Sequence, residues 1–135
     1  MQTEIWKPIS VYNGYYEVSN FGRVRSVTRK IERTNPKNKN IKTFYTYSGK
    51  LVPFWITNNG YLRCTLNIEG VKKNHLVHQL VAKEFIDNKE EKKQVNHINC
   101  IKTDNRVDNL EWVTSYENHI HARNNGLLYF QKRNL

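Results

Sequence analysis

The chain contains 135 residues, and its 22 Lys and Arg outnumber its 12 Asp and Glu to give a formal net charge of +10. This length fits one domain, or one compact domain with a small appendage. No apolar run approaches the roughly 18 residues of a membrane-spanning helix, and the N-terminus lacks the basic start and apolar core of a signal peptide. We therefore expect a cytoplasmic protein without a membrane partner.

The positive charge is concentrated in the first part of the chain. Residues 1–75 hold 13 Lys and Arg against 4 acidic residues, whereas residues 76–135 hold 9 against 8. A basic region that precedes a nearly neutral one is typical of a nucleic-acid-binding arm joined to a functional unit. Charge alone does not distinguish DNA from RNA, because contacts to phosphate carry no sequence information.

Cysteine use argues against two common kinds of small fold. The chain has only Cys64 and Cys100, which are too few for a disulfide framework, and neither belongs to the CxxC pair of a zinc ribbon. Cys64 falls on the apolar side of an alternating segment and is predicted to be a buried thiol. Cys100 is predicted to be a loop residue.

The N-terminal residues predict a short hairpin. A strand at residues 15–18 is followed by a turn at residues 19–22 and a returning strand at residues 23–27. Arg23 and Arg25 share one face of the returning strand, because successive side chains alternate. Such a pair can contact phosphates or simply face solvent, and the strand alone favours neither interpretation.

Residues 29–50 are rich in Lys and Asn and contain a central Pro, which predicts an exposed loop between strands. A basic flexible segment can follow a nucleic-acid backbone and become ordered on binding, although an ordinary solvated loop is an equal alternative. The candidate contact residues in this segment are Arg29, Lys30, Lys37, Lys39 and Lys42.

Residues 60–74 predict a second hairpin, and an amphipathic helix is predicted over residues 75–86. In the helix, His75 and His78 lie one turn apart, a spacing that can bind a metal ion. We favour a structural or supporting role for His78, because histidines on an apolar helix are more often part of the core. The inward positions of the first hairpin strand are Leu62, Cys64, Leu66 and Ile68.

Residues 94–122 predict a strand, a polar loop, a second strand and a helix, in that order. The helix should begin at Thr114, because Thr114 and Glu117 form a capping-box pattern. It should end near Asn125, with Gly126 in the C-terminal capping position.

Polar residues occupy unusual places within this unit. They are Asn96 and His97 in the first strand, Asn109 at the end of the loop, and Asn118 and His121 on the helix. If the helix packs across the hairpin, Asn118 can face Asn96 or His97 and complete a cluster of oxygen and imidazole ligands. Each position taken alone is more often structural, whereas the joint spacing favours a functional site.

The pattern VNHI…KT.NRV.NLEWVT..EN..HA resembles the ββα-metal motif of HNH endonucleases, in the form found in phage and intron-encoded homing enzymes. The N-terminal EIWKPISVYNGYYEVSNFGRVRSV is similar to the modular motif that accompanies these enzymes. The resemblance implies an α+β fold, with an N-terminal antiparallel β-sheet followed by a helix and a C-terminal ββα-metal (His-Me finger) unit. It divides the chain into a basic β-rich DNA-binding region (1–74), a nuclease region with its packing helix (75–126) and a short tail (127–135).

The same resemblance implies a role for each polar residue of the cluster. His97 would be the general base, and His121 would contact the phosphate. Asn96 and Asn118 would bind one Mg²⁺ or Mn²⁺ ion per active site, and Asn109 would organise the loop that aims His97. Both proposed ligands are neutral amides, so the protein alone should hold the ion weakly.

The implied function is that of a metal-dependent homing-type endonuclease that hydrolyses a phosphodiester bond of double-stranded DNA. A monomer or weak homodimer should nick one strand per active site. Arg23 and Arg25, with the basic residues between 29 and 42, would contact the DNA. The alternatives are a basic RNA-binding protein and a non-catalytic DNA-binding protein of the same fold. The second is suggested by the neutral ligands and by residues 99–101, Asn-Cys-Ile, where an Asp-Gly-Asn run is common.

Overall fold

The structure is a computed structural model that describes residues 2–126, so the tail predicted at residues 127–135 lies outside the described residues. Within residues 2–126 there are ten β-strands and two α-helices, and neither helix is long and apolar enough to cross a membrane. The strands are β1 (Trp6–Pro8), β2 (Tyr16–Ser19), β3 (Val24–Ser26), β4 (Arg29–Thr34), β5 (Lys42–Tyr47), β6 (Trp55–Ile56), β7 (Leu62–Ile68), β8 (Val71–Leu76), β9 (Gln94–His97) and β10 (Leu110–Val113). The helices are α1 (Val77–Phe85) and α2 (Ser115–Asn124).

The strands pair antiparallel with their neighbours in sequence. β1, β2 and β3 form an N-terminal sheet, and β6, β7 and β8 form a second one. α1 follows this second sheet, and β9, β10 and α2 then form a hairpin with a helix. This order confirms the predicted α+β fold, with an N-terminal antiparallel sheet, a helix and a C-terminal ββα unit.

One hydrophobic core joins the N-terminal sheet, α1 and the ββα unit. Val18 of β2 and Val81 of α1 are inaccessible to solvent, and Leu110 of β10 is 4% exposed. Cys64 and Leu66 on β7 are also inaccessible, which confirms the inward face predicted from the alternation. Burial raises the pKa of the Cys64 thiol to about 11, so the thiol stays protonated at pH 7.

The exposed loop predicted for residues 29–50 is wrong over most of its length, because β4 and β5 pair as a hairpin. Ile31 lies opposite Tyr45, and the Arg33 guanidinium lies 4.4 Å from the centroid of the Tyr45 ring. β-Branched and aromatic side chains favour pairing of this kind. The Lys-rich and Asn-rich composition describes only the connection between the two strands, at residues 35–41.

The helix predicted from residue 75 begins two residues later, at Val77, because β8 continues to Leu76. His75 lies on β8 opposite Cys64, and its Nε2 is 2.6 Å from the Tyr12 hydroxyl. The predicted pair of histidines on one helical face is therefore wrong, since His75 belongs to a strand and only His78 lies on α1.

α2 is attached to the hairpin by polar contacts rather than by an apolar face. None of the residues 115–124 is buried. Thr114 Oγ1 accepts from the Glu117 amide at 3.1 Å, and the Glu117 carboxylate accepts from the Thr114 amide at 3.3 Å, which confirms the predicted capping box. The same carboxylate pairs with Lys92 at 3.0 Å. Gly126, just beyond the helix, takes the left-handed φ of +69° that a C-terminal cap requires.

Candidate active site

β9 and α2 border a cavity of about 430 Å³ that is lined by four of the five polar residues of the predicted cluster, all except Asn109. Antiparallel pairing of β9 with β10 sets Leu110 opposite His97 and Glu111 opposite Asn96. α2 packs against both strands of this hairpin. The residues that line the cavity include Asn96, His97, Asn118 and His121, together with Tyr61, Gln94, Cys100 and Lys102.

The His97 side chain is fixed by one hydrogen bond in the core. His97 is 5% exposed, and its Nε2 lies 2.8 Å from Asn105 Oδ1. Because an amide oxygen can only accept, Nε2 carries the proton and Nδ1 keeps its lone pair. Burial lowers the pKa of His97, against an opposing effect of the Asn105 bond and the charge of Asp104. The ring is therefore neutral at pH 7, and Nδ1 can accept a proton.

Two further rings pack against His97. The ring centroids of Tyr61 and His78 are 5.0 Å apart in a stacked arrangement, and that of His78 lies 4.9 Å from that of His97. His78 is 5% exposed, and burial lowers its pKa to about 4, with repulsion from His97 as a smaller cause. The candidate base thus has a neutral aromatic neighbourhood at pH 7.

Asn96 and Asn118 each donate their amide nitrogen to a neighbour. Asn96 Nδ2 donates to Glu111 Oε1 at 2.9 Å, and Asn118 Nδ2 donates to Gln94 Oε1 at 2.9 Å. The Asn118 amide nitrogen is thus held by Gln94, and Asn118 shares the cavity with Asn96 and His97. In both residues Oδ1 remains as the acceptor, and both line the same cavity. Two amide oxygens of this kind fit a hard divalent cation such as Mg²⁺ or Mn²⁺.

Asn109 closes the loop that follows β9. Its Oδ1 accepts from the Asn99 amide at 3.0 Å, and its Nδ2 donates to Asn99 Oδ1 at 2.9 Å and to the Asp104 carbonyl at 2.8 Å. Cys100 adopts the left-handed φ of +65°, so this turn is made without the glycine that such a conformation favours. The loop that carries Asn105 is thus tied at three points to a single buried side chain.

The two histidines of α2 both reach the cavity. His121 Nε2 donates to the Ile98 carbonyl at 3.1 Å. His119 also lines the cavity. The approach to the site is therefore imidazole-rich on the α2 side.

Arg23 and Arg25 are already paired with carboxylates in the N-terminal region. Arg25 Nη2 lies 2.8 Å from Glu17 Oε1, and Arg23 forms an ion pair with Glu4. Arg25 also stacks on Trp6, with Cζ 4.0 Å from the ring centroid. The strand face that Arg23 and Arg25 share therefore carries little net charge.

The basic residues of the β4–β5 hairpin lie on an exposed ribbon. The Arg29 guanidinium lies 4.5 Å from the Tyr15 ring centroid and 4.6 Å from that of Tyr47. Lys42 pairs with Glu32 across the hairpin at 3.0 Å. The remaining candidates on this ribbon are exposed, and they are Lys30, Lys37 and Lys39.

Two family models match the chain in the order that the motifs predicted. Residues 4–67 match the NUMOD4 motif, and residues 75–120 match the HNH endonuclease model. This chain belongs to the HNH endonuclease family. The family resemblance is thereby confirmed. The HNH match contains Asn96, His97 and Asn118, and it ends one residue before His121. HNH endonucleases are in general metal-dependent nucleases.

Two similar proteins come from a mimivirus and a bacteriophage. An uncharacterized HNH endonuclease of Acanthamoeba polyphaga mimivirus is 39% identical over 137 residues, which cover 98% of this chain and 29% of the relative. The DNA endonuclease I-HmuI of Bacillus phage SP01 is 34% identical over 127 residues, which cover 94% of this chain and 62% of that protein. A solved structure titled "DNA binding and cleavage by the HNH homing endonuclease I-HmuI" has a TM-score of 0.73 and 32% identity, covering 96% of this chain and 64% of that one. The chain thus spans less than two thirds of the length of these relatives.

Three side chains that hold the HNH site in position were not predicted from the sequence. Glu111 follows from the register, because it is the cross-strand partner of Asn96, and Gln94 lies on the same face of β9 as Asn96, two residues earlier. Asn105 could not be found in this way, since it lies in a loop and reaches His97 by the local fold. The three contacts are Asn105 with His97, Glu111 with Asn96, and Gln94 with Asn118.

Proposed function

We propose that this chain is a metal-dependent HNH endonuclease that hydrolyses a phosphodiester bond of double-stranded DNA. The observation that carries the proposal is one cavity lined by a buried neutral histidine and two amide-oxygen donors, His97, Asn96 and Asn118. The similarity to I-HmuI, whose solved structure is titled as DNA binding and cleavage, supports DNA as the substrate.

His97 acts as the general base in this proposal. Its Nε2–H is engaged by Asn105, so Nδ1 is the nitrogen that takes a proton from the attacking water. Because burial lowers the pKa of His97, the ring is in the basic form at pH 7. Asn109 supports this geometry by holding the loop that carries Asn105.

Asn96 and Asn118 would hold one Mg²⁺ or Mn²⁺ ion through their Oδ1 atoms. When bound, such a cation stabilises the charge that develops on the leaving 3′ oxygen. Neither ligand carries charge, so the protein should bind the ion weakly until a phosphate oxygen joins the site. His121, with Nε2 held by the Ile98 carbonyl, would contact the phosphate.

The basic part of the chain supplies the proposed contacts to the DNA. Residues 1–75 carry most of the net charge, and three lysines of the β4–β5 ribbon are exposed. We assign DNA contacts to this region, with a division into a DNA-binding part (1–74) and a nuclease part (75–126). The contacts comprise Arg23, Arg25, Arg29, Lys30, Lys37, Lys39 and Lys42. Each chain, as a monomer or in a weak homodimer, presents one ββα unit and should nick one strand per active site.

Plasmid relaxation tests the proposal. Wild type and His97→Ala are incubated with supercoiled DNA in Mg²⁺, in Mn²⁺ and in EDTA, and circular dichroism checks that both are folded. Nicked circles from wild type in metal, absent in EDTA and in His97→Ala, are expected. Salt-sensitive DNA binding without cleavage in either protein would instead support a non-catalytic DNA-binding protein. Preference for RNA, with no dependence on His97 or metal, would overturn the assignment to DNA.

A further inference from the structure

We infer that the turn at residues 19–22 of the N-terminal region positions the His97 imidazole through Asn105. The inference rests on the proposed function, because it treats His97 as the base. It assigns to the N-terminal region a part in the geometry of the active site, in addition to any contact with nucleic acid. Asn105 and Gly22 are in this sense positioning residues, since neither lines the cavity.

The first observation is a close approach between Gly22 and Asn105. Gly22 is buried and has a φ of +86°, in the left-handed region that favours glycine. A Cβ at Gly22 would lie 2.8 Å from Asn105 Cβ and 3.0 Å from the Asn105 carbonyl oxygen. Real side chains do not approach that closely, so any residue other than glycine would push Asn105 away.

A second contact joins the same two segments. The Val107 amide donates to the Asn20 carbonyl at 3.0 Å, two residues beyond Asn105. The Asn20 side chain is itself held, because its Oδ1 accepts from the Ile5 amide at 2.7 Å. The turn is also closed internally, with the Gly22 amide donating to the Ser19 carbonyl at 3.0 Å. The loop around Asn105 therefore lies against a fixed part of the N-terminal region.

The third observation concerns the Asn105 amide group. Asn105 is 3% exposed, and its Oδ1 receives the Nε2–H of His97 at 2.8 Å. Its Nδ2 is buried without a hydrogen-bond partner anywhere in residues 2–126. A buried amide N–H without a partner is unfavourable, so packing alone would favour an apolar side chain here. The one hydrogen bond that the amide makes is the bond that fixes the His97 ring and its proton.

The consequence is a chain of contacts from the turn to the base. If Asn105 moves outward, His97 Nε2 loses its acceptor, and the proton is free to sit on either ring nitrogen. A base needs both the right ring orientation and the right tautomer, and small displacements from the productive geometry lower the rate strongly. The N-terminal turn thereby contributes to turnover rather than to substrate affinity.

Two glycines and two substitutions of Asn105 make a matched test. Gly22→Ala introduces both the left-handed strain and the contact with Asn105. Gly14→Ala introduces the same strain, since Gly14 has a φ of +85°, but meets no atom within 4 Å. Asn105→Ala removes the acceptor for His97, whereas Asn105→Asp keeps an oxygen at that position.

The first readout is the tautomer of His97 in the full chain, without metal or DNA, from two-bond ¹H–¹⁵N spectra at pH 8. His97→Gln identifies the His97 signals. Wild type, Gly14→Ala and Asn105→Asp should show a single Nε2–H tautomer. Gly22→Ala and Asn105→Ala should show a mixture of both tautomers. The second readout is single-turnover nicking at saturating DNA, which should fall at least ~10-fold in the latter two variants, with DNA affinity unchanged.

A single Nε2–H tautomer in either folded variant, Gly22→Ala or Asn105→Ala, would overturn the inference. So would equal losses of nicking in Gly22→Ala and Gly14→Ala, because strain alone would then explain both. If Gly22→Ala does not fold, the Asn105 pair decides, since Asn105→Asp must restore the tautomer that Asn105→Ala loses. The tautomer readout needs no cleavage, so a wild type that cuts no DNA refutes the proposed function without deciding the positioning of His97.

Discussion

The imidazole rings of His78 and His97 lie 4.9 Å apart, centroid to centroid, with an angle of 50° between their planes. His78 belongs to α1 and His97 to β9, so this contact joins the packing helix directly to the candidate base. A proton on one ring would repel a proton on the other, and both rings are buried. The pair is therefore neutral at pH 7, and a charge on His78 would be costly.

His78 should make the folded state sensitive to mild acid. The unfolded chain takes up a proton on this histidine near pH 6.5, whereas burial lowers the pKa of the folded state to about 4. Neutral His78 thus makes its full contribution to the free energy of unfolding above pH 6.5. This contribution declines as the pH falls towards 4 and is absent below pH 4. Between pH 7 and pH 5 the free energy of unfolding should fall by about 2 kcal/mol on this account.

Urea unfolding at the two pH values measures this loss, with His78→Phe as the comparison. Phenylalanine keeps a ring beside His97 and cannot take up a proton. The difference in stability between pH 7 and pH 5 should therefore be smaller in the variant by about 2 kcal/mol. An unchanged pH dependence in His78→Phe would show that other groups cause the acid sensitivity.

The protein should tolerate Asn96→Asp only when Glu111→Gln accompanies it. Asn96→Asp would set two carboxylates at the 2.9 Å distance where an amide now donates, and should destabilise the metal-free protein by about 2 kcal/mol at pH 7. Asn96→Asp with Glu111→Gln restores a donor and an acceptor with their partners reversed. This double variant should recover most of the stability and bind Mn²⁺ more tightly, because a carboxylate then faces the cavity.

Chemical denaturation without metal and Mn²⁺ titration of the DNA complex check the exchange. Glu111→Gln alone serves as the control, since it keeps an acceptor for Asn96 and removes only the charge. A double variant no more stable than Asn96→Asp would mean that the Asn96–Glu111 bond does not determine which side chains are compatible here.

Glu17→Gln should strengthen DNA binding. Arg25 is paired with Glu17 at 2.8 Å, so removal of the carboxylate charge leaves the guanidinium available to a phosphate. The slope of log affinity against log salt should become steeper by about 1. Fluorescence anisotropy across a salt series measures both quantities. Glu90→Gln is the matched control, because Glu90 pairs with Lys92 outside the basic region and should leave the slope unchanged.

Cys100→Gly should stabilise the protein. Cys100 has a φ of +65°, a conformation that costs residues with a Cβ about 1–2 kcal/mol relative to glycine. Part of this gain is offset by the greater freedom of glycine in the unfolded chain, so a net gain of about 0.5–1 kcal/mol is expected. Thermal and urea unfolding measure it against Cys100→Ala, which keeps the Cβ and should be neutral. A destabilised glycine variant would show that the thiol packs favourably in the loop.

Features that depend on nearby residues were predictable from the sequence. The Thr114–Glu117 capping box and the inward face of β7 follow from spacing alone, and both are present. The hairpin β4–β5 was missed because composition suggested a loop, while pairing of Ile31 with Tyr45 depends on the partner strand. The start of α1 was predicted two residues too early, because β8 pairs with β7 as far as Leu76, inside the segment that has helical spacing.

The candidate site also has some features that the sequence predicts and others that depend on residues distant in sequence. The spacing of Asn96, His97 and Asn118 indicated a cluster, and all three line one cavity. The approach of Gly22 to Asn105 was not predictable, because these residues are distant in sequence and meet only when the core forms. Ion pairing of the N-terminal arginines was missed for the same reason, since strand alternation describes faces and not partners.

Helix α2 gives the site an element that opens easily. No side chain within residues 115–124 is buried, so this helix has little apolar area to hold it against the hairpin. Its backbone amides should exchange with solvent deuterium sooner than those of α1, whose Val77, Leu80 and Val81 are buried in the core. Asn118 therefore sits on a part of the fold with a small local free energy of opening. Ligands that engage Asn118 would slow this exchange, because closing α2 becomes part of binding them.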